Sequence, residues 1–262
     1  MTIYTASQPA PAPPSAAIWP AQARAAVSLT YDDAVPTQRK YAAPALEKAG
    51  LRGTFFVTGT STDLAAHGDE WRSIASAGHE LASHTLHHPC DCRHDWVPRG
   101  YTSQDYDLPR MQAELEQTLE LLAALGATRP YTFAYPCGET QLGPTGESYR
   151  PLVRQMFLAA RGVEPKIANP ELEPFDLIPA YDGARSSEEL LALVDQAVQQ
   201  RGWLVLLFHG VGGDHLAVEL EAHQRLVEYL ALRRNEVWTE RFGAVAAHLA
   251  SRRDAGFGSR GL

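Results

Sequence analysis

Carboxylates and imidazoles follow apolar runs of this chain at spacings that can hold a metal ion. Asp32 and Asp33 come directly after AVSLTY, and His84 and His88 are spaced i, i+4 in SHTLHHP. Two crowded carboxylates are costly unless a cation offsets their charge, and imidazoles four residues apart on a helical turn can reach one ion. One carboxylate with two imidazoles leaves positions open for water, as in catalytic zinc sites. The alternatives are a turn-capping aspartate and a surface histidine pair.

His209 ends the apolar run WLVLLFH and stands before a glycine-rich segment. An imidazole that emerges from a buried strand needs either a backbone hydrogen bond or a chemical role. Gly210, Gly212 and Gly213 permit a ligand to approach the backbone closely, although a plain loop has the same composition. They do not form a GxGxxG pattern, so nucleotide binding is not indicated.

The elements that must position these residues alternate between apolar runs and helical stretches. The predicted strands cover 25–31, 53–59, 79–84, 131–136, 156–162, 175–180 and 203–210. The predicted helices cover 37–50, 70–78, 111–126, 186–202 and 220–234, with Ser187 expected at the start of the fourth. Apolar strands that alternate with helices predict a parallel sheet buried on both faces. The polar residues fall at the carboxyl ends of strands, which favours an α/β fold of one domain, a distorted (β/α)7-type barrel.

Length and composition restrict the remaining possibilities. The chain has 262 residues and a formal net charge of -8, without a basic cluster that could follow a phosphate backbone, so no nucleic acid partner is expected. We expect an extended arm over 1–22, the catalytic barrel over 23–250 and a flexible tail over 251–262. The N-terminus has neither the basic region nor the apolar core of a secretory signal, and no run is long enough to span a membrane. The expected location is therefore cytoplasmic, with no membrane partner.

The quoted motifs resemble those of a known enzyme family. TYDD, SHTLHH and the strand ending in LFH are similar in type, order and interval to the first, second and fifth motifs of polysaccharide deacetylases, which form family 4 of the carbohydrate esterases and share the NodB homology domain. The resemblance runs from about residue 25 to about residue 248. It implies that Asp33, His84 and His88 hold the metal, that Asp32 is the general base and that His209 is the general acid. The implied metal is zinc, with cobalt or nickel as alternatives.

Two further motifs of the family are altered in this chain. The third usually supplies an arginine to the catalytic aspartate, but FAYPCG has Ala134 at that place. Arg129 or Arg161 could substitute, and the Cys137 amide is expected to contribute to the oxyanion hole. The fourth motif is usually an aspartate followed by tryptophan. Here Asp182 is expected to orient His209, yet Gly183 follows it.

The function expected from these observations is the metal-dependent hydrolysis of an acetyl group from an N- or O-acetylated carbohydrate. The altered motifs and the apparent lack of a secretory signal also favour an amidohydrolase of the same fold that acts on a small non-sugar amide or cyclic imide. A non-catalytic carbohydrate-binding protein is the third possibility, against which the retained Asp32, Asp33 and His209 argue. The oligomeric state stays open.

The cysteines and several aromatic residues each have more than one possible role at the site. Three cysteines are an odd number in a large chain and do not predict a disulfide framework. Cys90 and Cys92 are interpreted as part of an accessory loop rather than a second metal site, and a nucleophilic Cys137 is the weaker alternative to its amide role. A stacking wall for a sugar ring and ordinary packing are equally compatible with four aromatic residues, namely Trp71, Trp96, Tyr101 and Tyr106.

Overall fold

The computed structural model describes residues 18–258; residues 1–17 of the arm predicted over 1–22 and residues 259–262 of the tail predicted over 251–262 lie outside the described residues. The strands are β1 (Ala25–Asp32), β2 (Thr54–Val57), β3 (Glu80–Ser83), β4 (Thr132–Ala134), β5 (Gln141–Leu142), β6 (Glu147–Ser148), β7 (Ala159–Arg161), β8 (Tyr181–Asp182), β9 (Trp203–Phe208) and β10 (Val237–Thr239). The helices are α1 (Ala43–Lys48), α2 (Thr62–Ala66), α3 (Gly68–Ser76), α4 (Leu108–Ala124), α5 (Arg150–Met156), α6 (Ser187–Gln200), α7 (Leu220–Leu232) and α8 (Phe242–Gly258).

Eight of the strands form one parallel sheet in the order β7-β4-β3-β2-β1-β9-β8, with β10 paired to the first half of β1. The other two, β5 and β6, form a separate hairpin. Ile178 makes a parallel bridge to Arg161 of β7, and the same segment continues into β8, which pairs with β9. The segment from Ile178 to β8 thus pairs with strands at both ends of the sheet. The predicted α/β barrel fold is confirmed in this curled, incompletely closed form.

Both faces of the sheet are buried, as the continuous apolar runs predict. Along β1, Val27, Leu29 and Tyr31 belong to the core beneath the outer helices, whereas Ala26 belongs to a second core on the opposite face. Side chains alternate between faces along a strand. Asp32 therefore points to the same face as Ala26, the inner face of the curled sheet.

Helix α8 packs against the inner core at the amino-terminal end of the strands. The Phe242 amide donates to Thr54 Oγ1 at the start of β2, and the Gly243 amide donates to Glu80 Oε2 at the start of β3. Because α8 covers this end, the inner face of the sheet is accessible from the carboxyl ends of the strands, where the candidate residues lie.

Several sequence-based boundaries differ from the structure. The predicted strand over 175–180 is wrong apart from the Ile178 bridge, and β10 was not predicted because VWT is too short to show a pattern. The α6 cap is Ser186, not Ser187; its hydroxyl and the Glu189 carboxylate form a reciprocal capping box. Helix α8 continues to Gly258, beyond the boundary expected at 250. No helix in the described residues is long and apolar enough to cross a membrane.

Candidate active site

A cleft of about 860 Å³ opens at the carboxyl ends of the strands. Its walls are the loops that follow β1, β2, β3, β4, β7 and β9. The predicted residues among those that line it are Asp32, Asp33, His84, His88, Cys137 and His209. Six of the seven predicted site residues are therefore brought together by the sheet, and the seventh, Asp182, is not among the lining residues.

The two adjacent aspartates reach the same cleft because β1 ends between them. Asp32 is the last residue of the strand and is buried, whereas Asp33 has a φ of +77°. This left-handed backbone interrupts the alternation that would otherwise direct Asp33 to the opposite face. The Asp33 amide still donates to the Phe56 carbonyl of β2, at 3.0 Å, which holds the turn against the sheet.

His84 and His88 lie on a loop after β3, not on the helical turn that their spacing predicted. Thr85 and His88 both have positive φ, and Thr85 Oγ1 accepts a 2.9 Å hydrogen bond from the His88 amide. This folded loop brings the two rings together. His87, between them in the sequence, also lines the cleft, and its amide donates to the buried Glu114 carboxylate at 2.9 Å.

The spacing of three donor atoms fits a tetrahedral metal ion. His84 Nε2 and His88 Nε2 are 3.1 Å apart, and Asp33 Oδ1 lies 3.7 Å and 3.5 Å from them, respectively. Zinc–ligand bonds of about 2.0–2.1 Å in tetrahedral geometry place donors roughly 3.3–3.4 Å apart. The measured distances bracket this value. The predicted ligand set therefore has both the chemistry and the spacing that zinc requires.

The second nitrogen of each imidazole has a neighbour that favours this arrangement. His84 Nδ1 lies 2.8 Å from the Ala134 carbonyl oxygen, so that nitrogen carries the proton and donates it, which leaves the lone pair on Nε2. His88 Nδ1 is 3.5 Å from Cys90 Sγ. Because Nδ1 of His84 is engaged by the backbone, its Nε2 is directed at Asp33 and His88 as a metal ligand would be.

The charges in the cleft favour an ionised Asp33 beside neutral His84. Burial raises the pKa of Asp33, but the hydrogen bond from His215 and the neighbouring His84, His88 and His209 rings outweigh it and hold this pKa well below its usual range. Burial lowers the pKa of His84 to about 4. A carboxylate and an unprotonated imidazole are the forms in which both groups bind a metal.

The side chain of Arg161 extends from the neighbouring strand β7 to the place where the missing third-motif arginine is expected. Its guanidinium is fully buried and donates from Nη2 to Asp32 Oδ2. Arg161 of β7 is paired in register with Ala134 of β4. Paired residues of adjacent parallel strands point to the same face, so a guanidinium can enter the same space from either strand. Arg129, the other candidate, lies over the Tyr131 ring and does not line the cleft.

Asp182 does not contact His209 in the structure. The Asp182 side chain is exposed at the edge strand β8, and its Oδ1 accepts from the Ala184 amide at 2.9 Å. His209 Nδ1 is buried without a hydrogen-bond partner among the described residues. Asp182 pairs in register with Leu207, two residues before His209, and its side chain turns back on its own loop. The expected orienting role of Asp182 is therefore not supported by the geometry.

Cys137 forms a disulfide bond with Cys90, which corrects the interpretation of the cysteines. The bond connects the loop that carries His88 to the turn after β4, where Cys137 has a φ of +53°. A sulfur in a disulfide is not a nucleophile, so only the amide role of Cys137 remains. Cys92 is exposed and free. Because disulfides persist mainly in oxidising compartments, this bond weighs against the cytoplasmic location expected from the sequence.

His215 is a residue of the site that the sequence interpretation missed. Its Nε2 lies 2.8 Å from Asp33 Oδ2, and its ring centroid is 5.2 Å from that of His209. The hydrogen bond and the Asp33 charge raise the pKa of His215 above its usual value. The available signal was a second histidine in HGVGGDH, within a glycine-containing loop that can fold back on itself.

The four aromatic residues considered for stacking have different environments. Trp71 is fully buried against Phe55, and Tyr106 is buried with its hydroxyl donated to Glu114. Tyr101 packs on the His87 ring. Only Trp96 lines the cleft, so the predicted stacking wall is reduced to this single residue.

Comparison with known proteins agrees with this geometry. The family model described as polysaccharide deacetylase matches residues 21–149. The chain is 24% identical over 264 residues to a gellan lyase from Bacillus sp; that match covers 90% of this chain but only 10% of the relative, so the chain spans about a tenth of that protein.

Solved structures share the fold. A family 4 carbohydrate esterase from Streptomyces lividans, in complex with acetate, is 23% identical with a TM-score of 0.53 and covers 82% of this chain and 91% of that one. A probable polysaccharide deacetylase from Pseudomonas aeruginosa PAO1 is 16% identical, with a TM-score of 0.66 and coverage of 90% and 94%. The Puue allantoinase is 18% identical, with a TM-score of 0.66 and coverage of 92% and 95%.

The matched segment contains Asp32, Asp33, His84 and His88, which belong to two of the three motifs that carry the sequence resemblance; the third motif, which ends in His209, lies beyond it. That resemblance is confirmed by the family match and by the shared fold. The polysaccharide deacetylase model thus matches just under half of the chain, and the solved structures share the fold over most of its length.

Proposed function

We propose that this chain is a metal-dependent deacetylase that removes an acetyl group from an N- or O-acetylated carbohydrate by the attack of water. One observation carries the proposal. Three donor atoms with the spacing of a tetrahedral metal site share a cleft with the buried Asp32–Arg161 ion pair.

Asp33, His84 and His88 would hold the metal, with zinc as the first choice and cobalt or nickel as alternatives. When bound, such an ion lowers the pKa of water from 15.7 towards ~7 and polarises a carbonyl group as a Lewis acid. His215 contacts the second carboxylate oxygen of Asp33 and so limits the orientations that this group can adopt.

Asp32 is placed to accept a proton. Its Oδ2 is held by Arg161, while Oδ1 has no hydrogen-bond partner among the described residues. The guanidinium stabilises the charged carboxylate, and the lone pairs of the buried Oδ1 are not used by any other described group, so we assign Oδ1 as the proton acceptor. The Arg161 side chain thus does for Asp32 what the family's third-motif arginine is expected to do.

His209 is placed to return the proton to the leaving group. Its Nε2 is 3.9 Å from Asp33 Oδ2. Burial lowers the pKa of His209 below its usual value, and the neighbouring Asp32 and Asp33 carboxylates offset only part of this effect. The Cys137 amide would stabilise the developing oxyanion, a type of contact worth roughly 3–4 kcal/mol.

Two measurements on the purified chain test this proposal. The metal content should be one zinc, cobalt or nickel ion per chain, and chelation should abolish acetate release from acetylated xylan or chitooligosaccharides. Asp32→Asn should lose turnover and keep the metal. If Asp32→Asn loses the metal instead, the roles assigned to Asp32 and Asp33 are exchanged; if chelation leaves activity unchanged, the metal role is wrong.

A second candidate function is the hydrolysis of a non-sugar amide or cyclic imide. The likeness to Puue allantoinase, which covers 92% of this chain, favours keeping it. Small amides and cyclic imides assayed beside the acetylated sugars separate the two functions. Turnover of the amides with no acetate released from any sugar would favour this second candidate.

A further inference from the structure

Large exposed apolar side chains are concentrated around the cleft. Trp96, Val163 and Leu216 line it and are 59%, 47% and 64% exposed. The described residues contain only three other exposed large hydrophobic side chains, which are Tyr41, Leu172 and Leu232. Scattered exposed apolar residues are ordinary, but a cluster marks a binding surface. We call Trp96, Val163 and Leu216 the apolar collar.

Each member of the apolar collar adjoins a different part of the candidate machinery. The Trp96 ring centroid lies 5.7 Å from that of His88. Val163 packs so closely on Gly138, beside the Cys137 turn, that any side chain at that glycine would overlap it. Leu216 follows His215 in the chain. The three residues come from three separate loops, so they approach the reacting position from several directions.

The loop after β2 has the opposite chemistry. The cleft is lined there by the hydroxyl-bearing side chains of Thr58, Thr60, Ser61 and Thr62. The first three already donate hydrogen bonds within the chain, so towards a ligand their oxygens act as acceptors. Strand β2 is near the middle of the strand order, whereas β7 and β9, which precede Val163 and Leu216, lie towards its two ends. Because the sheet is curled, its ends face its middle across the cleft. The hydroxyl-bearing side chains of the β2 loop therefore lie opposite Val163 and Leu216.

We propose that the substrate is an acetylated sugar glycoside with an aromatic or aliphatic aglycone, rather than an internal residue of a polysaccharide; this inference rests on the proposed function. The sugar hydroxyls are matched by the hydroxyls of the β2 loop, and the aglycone covers the apolar collar. A sugar residue on that side would lose hydration of its hydroxyls against Val163 and Leu216 without gaining hydrogen bonds. The apolar collar thus selects what is attached to the sugar that carries the acetyl group.

The test compares substrates with the same acetamide and different substituents at the anomeric carbon. The probes are 4-nitrophenyl, methyl and further-sugar glycosides of N-acetylglucosamine, the last being di-N-acetylchitobiose. We expect kcat/KM for acetate release to be at least tenfold higher for the 4-nitrophenyl glycoside than for either of the others, mainly through KM. Trp96→Ala and Leu216→Ser should reduce this preference towards unity. Leu172→Ser, which changes an exposed leucine outside the cleft, should leave the preference intact.

Calorimetric binding of the same glycosides separates this inference from the proposed function. Tenfold tighter binding of the 4-nitrophenyl glycoside by the metal-loaded chain, lost in Trp96→Ala, supports the apolar collar even if no acetate is released, whereas the absence of acetate contradicts the deacetylase. Equal kcat/KM or equal affinity for the 4-nitrophenyl and methyl glycosides overturns the inference. So does a preference for di-N-acetylchitobiose, with the deacetylase proposal left standing.

Discussion

The two halves of the cleft differ in the sequence separation of the residues that form them. On the ligand half, His84 and His88 belong to one short loop after β3, and Asp33 directly follows β1, which is two strands away in the sheet. On the helper half, Asp32 depends on Arg161, 129 residues away in sequence, and the Cys137 turn is tied to Cys90, 47 residues away. A helper can be supplied by any strand that reaches the same space.

The register between β4 and β7 shows how such a substitution works. Ala134 and Arg161 are Cα partners in adjacent parallel strands, so their side chains start from neighbouring points and leave the sheet on the same face. The inner core around Ala134 contains small residues such as Ala82 and Ala159, which leaves room for a long side chain from β7. The site therefore still contains a guanidinium group, but β7 carries it instead of β4.

The largest effect should come from the ligand half. Replacing His84 by Ala removes one of the three proposed metal-binding atoms, so we expect loss of the bound metal and a fall in kcat/KM of roughly 10³-fold or more. Metal content of the purified variant checks this directly. His94→Ala, which changes an exposed histidine of the following loop, should keep both metal and activity. A His84→Ala protein with full metal content would show that the ligand set is wrong.

The ligand half could be predicted from the sequence because its residues are adjacent or four apart. Even there, the helical turn expected for His84 and His88 was wrong, since Thr85 and His88 adopt left-handed conformations that no spacing rule reveals. The helper half could not be predicted, because the Arg161–Asp32 contact depends on strand register and the Cys90–Cys137 bond on how two loops meet. The (β/α) architecture was predictable from the apolar runs, whereas short strands such as β8 and β10 carry too few residues to show a pattern.

Replacing Arg161 should have the next largest effect. Arg161→Ala leaves the buried Asp32 carboxylate without its guanidinium partner. We expect kcat to fall roughly 10²-fold, within the usual contribution of general acid–base catalysis. The free energy of unfolding should also fall by about 3–5 kcal/mol, as for other broken buried ion pairs. Kinetics and denaturant unfolding measure the two effects, and Arg129→Ala is the control.

A strand exchange sharpens this prediction. In Ala134→Arg/Arg161→Ala the guanidinium starts from β4 instead of β7, and the His84 contact to the Ala134 carbonyl is preserved because it involves only the backbone. We expect the double variant to recover at least tenfold in kcat over Arg161→Ala. No recovery in a folded double variant would mean that the position of the guanidinium, and not only its charge, is restricted to β7.

Removing the disulfide should have a moderate effect that falls mainly on stability. Cys90→Ala/Cys137→Ala opens a loop of 47 residues, and we expect a loss of about 2–4 kcal/mol in the free energy of unfolding because the unfolded chain gains entropy. Activity should fall less than in Arg161→Ala, since no group that contacts the reacting atoms is lost. Cys92→Ala is the matched control. An unchanged unfolding midpoint in the double variant would show that the bond does not form in solution.

The smallest effect is expected at Asp182, where the chain departs furthest from the family's pattern. Asp182→Asn keeps the shape of an exposed side chain whose only described hydrogen bond is to the Ala184 amide, so stability should change by no more than about 0.5 kcal/mol. The kcat should stay within threefold, and the pH profile of kcat/KM should not move, because His209 Nδ1 does not contact this carboxylate. A tenfold loss in kcat with a shifted pH profile would instead mean that Asp182 reaches His209 during turnover. The helper half would then form the Asp182–His209 contact expected from the family, although the structure does not contain it.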